Sequence, residues 1–157
     1  MTTPVSPSAT PASLSTSDQQ ALTGALQSVY AAVYAYGLIA AYANPTRATQ
    51  VATLVAAHRA VRDEAVDLLA SADAPIPREA AGYTVPFPVT DPKSAARLAV
   101  RVEDDCAVAW RAALERADAE AVRDIAVQAL ADCAVRAGNW NVALNVQPPT
   151  TAFPGQR

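Results

Sequence analysis

The one histidine of the chain, His58, lies in VAAHRAVRDE at positions 55–64. Imidazole is the side chain best suited to ligate a metal or to move protons near neutral pH. What it can do depends on the charges that reach it. Glu103 and Asp105, in RVEDDCAVAW, flank the inner face of the third helix and Asp132, in QALADCAVRAG, lies on the fourth; of these, Glu103 and Asp132 with His58 make a candidate metal or proton-handling site. Arg62 stands one turn beyond His58, and Arg136 one turn beyond Asp132. The same region therefore also reads as a buried polar network of His58, Arg62, Glu103, Asp132 and Arg136 that sets helix register. A buried guanidinium opposes a metal cation in the same space and demands an acid, so the arginines favour the network.

Other chemistry lacks its parts. Cys106 and Cys133 show no CxxC spacing, and there is no second histidine to complete a zinc set. They are expected to be free buried thiols, with a disulfide as the lesser alternative. No histidine remains for a Ser–His or Cys–His pair, and the five glycines build no phosphate loop. The adjacent acids at 103–105 point in different directions on a helix and make no acid–base dyad. The residues thus assign no catalytic and no cofactor-binding role, and an enzyme is the less favoured reading.

Charge narrows the classes further. The net charge is −3, and Lys93 is the only lysine. A nucleic-acid surface needs clustered cations to displace counterions, so DNA or RNA binding is not expected. The first positive side chain is Arg47, which leaves no cationic start for a secretory signal, and a cytoplasmic location is expected.

Four helices must position these residues. Hydrophobic residues make up 52% of the chain and aromatics 6%, so the apolar content is mostly alanine and valine, which suits closely packed helices. Proline, which costs about 3 kcal/mol inside a helix, leaves open blocks at 12–44, 46–74 and 93–147. The last block is divided at RADAE, where Asp118 could cap a new start. Helices are expected at 18–43, opened by a Ser17–Gln20 capping box, and at 46–71, 92–116 and 119–144. Short connections pair helices 1 with 2 and 3 with 4 in antiparallel fashion. The stretch DAPIPREAAGYTVPFPVTDP can reach about 66 Å, more than the ~36 Å of a helix of this length, so it can cross the whole bundle. That is the ferritin-like form of an all-α four-helix bundle. Residues 1–16 are expected to be disordered, 17–147 to form the bundle, and 148–157 to be an irregular tail with Phe153 against it.

Two features of helix 1 leave choices open. Positions 19–46 carry no charge, enough to span a membrane, yet the segment is centred on Ala and Tyr and broken by Gln27 and Ser28. A buried helix is the simpler reading, so no stable insertion is expected, and peripheral membrane attachment is a further alternative. Tyr30 and Tyr34 lie toward one flank and Tyr36 inward; these rings suit packing against neighbouring helices or the crossover, or the interface of a homodimer.

The words ALQSVYAAVYAYG, AAHRAVRDE, YTVPFPVTDP, RVEDDCAVAWRAAL, QALADCAVRAGNW and TAFPG, in that order across about 20–155, resemble a ferritin-like, domain-of-unknown-function family of GC-rich bacteria. The resemblance implies a ferritin-like fold and, in some relatives, a metal-carrying interior, but no activity. Where typical members carry a Glu-His pair, this chain has Val29-Tyr30. Di-iron bundles draw a Glu from two helices and a Glu-x-x-His from each of the others. Here neither Glu-x-x-His exists, and helix 1 offers Leu22, Leu26, Val29, Val33, Tyr36 and Ala40 inward. The expectation is a structural or interaction module without a working di-iron centre and without a cofactor. The alternative is an iron- or manganese-binding oxidase or store that uses His58 and neighbouring carboxylates.

Overall fold

The structure, a computed structural model, describes residues 13–156. Four helices carry the fold: α1 (Thr16–Tyr42), α2 (Ala48–Ser71), α3 (Pro92–Arg116) and α4 (Glu120–Ala143), with a 3-10 turn at Pro45–Arg47 between the first two. There is no strand among the described residues. The antiparallel pairs α1/α2 and α3/α4 are joined by the expected long crossover. Of the segment expected to be disordered, positions 1–12 lie outside the described residues; Leu14 is buried and Ser15 caps α1.

Local chemistry explains the helix starts, with one correction. Asp91 and Ser94 form a reciprocal capping box, and Pro92 takes the first helical position, where its missing N–H costs nothing. α1 does not open on Ser17 and Gln20. Ser15 and Asp18 make the box instead, with Asp18 N–H donating to Ser15 Oγ at 3.1 Å and Ser15 N–H to Asp18 Oδ2 at 3.0 Å. The earlier start turns Asp18 inward. Its Oδ1 accepts from Asp118 N–H at 2.8 Å and Ala119 N–H at 3.0 Å, so one carboxylate caps α1 and also binds the corner before α4. Asp118, expected to cap α4, is replaced in that role: Ala119 is the N-cap residue and Asp18 supplies the oxygen from across the bundle. Burial alone would raise the Asp18 pKa. The hydrogen bonds from Ala119, Ser15 and Asp118 outweigh it and hold the carboxyl below its usual range.

The crossover lies along the bundle on half-buried Tyr83, Val85 and Phe87 and on buried Val89. Tyr30 is buried beneath it and donates to Pro77 O at 3.1 Å, while the Tyr34 ring meets Tyr83 at 5.4 Å. Beyond α4 the chain folds back over α3 and α4. Gly155 has φ +74° and passes so near α3 that a Cβ there would meet Ala107 O at 2.5 Å, which only glycine permits. Phe153, expected against the bundle, is 66% exposed, because the tail is held through its backbone, as in the Asn141 side-chain bond to Pro149 O at 2.9 Å.

The core is built mainly from α1, α3 and α4. Leu22, Leu26, Val29, Tyr36 and Ile39 of α1 are fully enclosed, as are Trp110 and Trp140. By length and composition α1 could cross a membrane, but here those side chains face α2 and α3. α2 is the outlying helix. It buries only Val51, His58, Ala65 and Leu69, rests on α1, and barely meets α4.

Candidate functional site

The heptad strip Val51, His58 and Ala65 points the α2 imidazole inward at mid-bundle, 1% exposed. Facing it from α3 is Glu103, fully buried because α3 is strongly amphipathic and turns that position to the interior along with Val102 and Cys106. His58 Nε2 lies 2.9 Å from Glu103 Oε1. The same oxygen accepts from Tyr36 Oη of α1 at 2.6 Å, and Trp140 Nε1 of α4 donates to that Tyr36 Oη at 3.2 Å. One carboxylate oxygen thus ties all four helices together.

The second oxygen is different. Glu103 Oε2 is sealed from solvent and has no hydrogen-bond partner among the described residues. Arg136 Nη1 stands 4.0 Å away, an ion pair without a hydrogen bond. Burial, the Glu103 charge and the hydrogen bond to it, in that order, push the Tyr36 phenol far above its usual range, so it stays protonated and donates. Bonds of this charge-assisted kind contribute about 1.5–3 kcal/mol each. They offset part of the cost of burying the carboxylate.

Of the five residues expected in the network, the structure brings three together: His58, Glu103 and Arg136. Asp132 sits at the rim, 46% exposed, accepting from Gln128 Nε2 at 3.0 Å and 3.7 Å from Arg136 Nη2. Arg62 does not join. It points off the strip to Asp63, with Nε 2.8 Å from Oδ1, because a guanidinium on the strip's edge can reach water and an exposed acid without being desolvated. Tyr36 was expected inward as an apolar wall and proves to be a donor. Trp140 was missed, although a buried indole N–H generally needs an acceptor. Tyr30, one of the two candidate interface tyrosines, is covered by the crossover, while Tyr34 is 48% exposed.

Cys106 and Cys133 are both buried and free, as expected. The hydrogen bond with Cys106 and burial push the Cys133 thiol up, which favours its protonated form. The donor set does not suit a pair of metal ions. Glu103 Oε1 is already committed to two donors, Arg136 faces Oε2, and α1 presents Tyr36 at this level. Among the described residues no three His, Cys, Asp or Glu side chains converge to hold a metal ion.

Comparison with known proteins agrees with this architecture. No curated protein matches the chain. A crystal structure of a conserved hypothetical protein from Mycobacterium tuberculosis superposes with a TM-score of 0.80 at 39% identity, covering 84% of this chain and 100% of that one. The sequence pattern of the family described as Domain of unknown function (DUF4439) matches residues 21–157, well over half the chain. This protein therefore belongs to the DUF4439 family.

Proposed function

We propose that the protein is a ferritin-like bundle in which a hydrogen-bonded polar centre stands where a di-metal site would lie, and that it works as a cytoplasmic interaction module rather than through metal chemistry. The observation that carries this reading is the state of Glu103: one oxygen is held by Tyr36 and His58 and the other is opposed by Arg136. A metal would have to displace two donors and approach a guanidinium, against a strong electrostatic cost at low dielectric. The interaction half of the reading is supported by α4, whose outer side exposes Val127, Val135 and Val142.

The experiment is metal loading. Protein incubated with Fe²⁺ or Mn²⁺ and then desalted should retain far less than one ion per chain, and His58→Ala should not change that amount. Stoichiometric metal that disappears in His58→Ala would instead support the metal-binding alternative.

A further inference from the structure

From position 137 to 156 the chain carries no charged residue, yet much of this stretch lies at the surface. Earlier on the outer side of α4, Val127, Ala131 and Val135 are exposed as well. The two charged side chains of that part, Asp132 and Arg136, pair at 3.7 Å on the flank that faces α2. The outer side of α4 and the tail thus form an uncharged, largely apolar face on a chain whose net charge is −3. Copies of an acidic protein repel one another, and the repulsion is least across a face without charge.

Shape adds a second reason. Phe153 is the most exposed large apolar side chain among the described residues. The tail is anchored on both sides of this ring. Before it, Asn141 Nδ2 donates to Pro149 O at 2.9 Å; after it, Arg111 Nη1 donates to Pro154 O at 3.5 Å and Gly155 lies against Ala107. The ring is therefore held out from the bundle in a fixed place, which lowers the entropy lost when a partner covers it. With Val108, Ala134 and Val135 it lines a groove of about 390 Å³ between the tail and helices α3 and α4. A cavity of about 150 Å³ can hold a benzene ring, so the groove has room for a phenyl side chain. Its lining is mostly apolar, with Asp104 the only charge.

A protruding ring beside a groove that can receive it is self-complementary under a twofold rotation. We propose that a second copy of the chain covers this face, with Phe153 of each copy seated in the groove of the other and the two Val135 side chains near the axis. This rests on the interaction reading and names its partner.

Sedimentation velocity of the full chain over a concentration series tests the pairing. The parent protein should show a reversible monomer–dimer equilibrium. Phe153→Ala should raise the dissociation constant about thirtyfold, as expected for loss of a buried aromatic anchor. Ala134→Phe adds apolar surface but fills the groove, and it should weaken the dimer too, whereas simple apolar adhesion would be strengthened. A parent that is monomeric at every concentration, or a dimer that Phe153→Ala or Ala134→Phe leaves as tight as before, would overturn the proposal. The interaction reading fails on a different measurement, stoichiometric metal in the loading experiment, so the two failures are told apart.

Discussion

Glu103 organises the interior because it is, among the described residues, the one carboxylate enclosed at mid-bundle, and Tyr36 and His58 both meet its charge. Tyr36 is the critical partner. Its hydroxyl donates to Glu103 and accepts from Trp140, so Tyr36→Phe keeps the ring volume but removes one donor and orphans one indole N–H. Such a loss should cost about 1–3 kcal/mol. Arg62→Ala, which removes a half-exposed pair with Asp63, should stay within about 0.5 kcal/mol. Urea denaturation of the two variants checks this, and equal losses would show that the centre contributes nothing beyond packing. Spacing turned His58, Glu103 and Arg136 toward the interior because it fixes where a Cβ points, but it favoured Asp105 equally, which is 46% exposed and pairs with Arg101. It misplaced Arg62, since a long guanidinium ends where water and an acid allow, and overlooked Trp140, whose need for an acceptor follows only from burial.

At the level of elements, the Asp18 clasp joins the start of α1 to the corner that opens α4. The sequence showed where helix bodies lie, because prolines and the 3.6-residue period mark them. It did not show which acid caps which end, since several Ser, Asp and Gln residues near position 17 could satisfy the same donors. The clasp also sets an acid limit. A carboxyl whose folded pKa lies below its unfolded value near 3.8 adds stability that is present above about pH 4 and is lost as pH falls through the folded value. Asp18→Asn removes this charge and turns an amide donor toward N–H groups. It should lower stability near neutral pH by about 1–3 kcal/mol and flatten the fall of Tm between pH 5 and 2, both of which follow from melting curves across that range. A variant whose acid limb stayed as steep as the parent's would place the sensitive group elsewhere.

For the molecule as a whole, the crossover was the legible feature, because a proline-rich stretch too long for a turn has to travel the length of the bundle. The unequal helix seams were not legible: alanine counts as apolar in any pattern, yet it is too small to close α2 onto α4. The same alanine-rich composition hid the two faces of α4. One face is core, through Val122, Ile125, Ala129, Cys133 and Trp140; the other exposes Val127, Val135 and Val142 at 50%, 62% and 58%. Spaced eight and then seven residues apart, these three form a stripe along the helix. A stripe of this kind on an outer helix suits pairing with a second copy about a twofold axis, where each valine row packs against the other. Light scattering coupled to size exclusion should then find a dimer that dissociates on dilution. Val135→Glu should abolish it while leaving Tm nearly unchanged, because an exposed position on one monomer contributes no more than about 0.5 kcal/mol to folding. Tyr34→Ala, at the other exposed candidate surface, should leave the dimer intact. If Tyr34→Ala dissociates it and Val135→Glu does not, the contact runs through α1 and the crossover, and a parent protein that stays monomeric at every concentration removes self-association altogether.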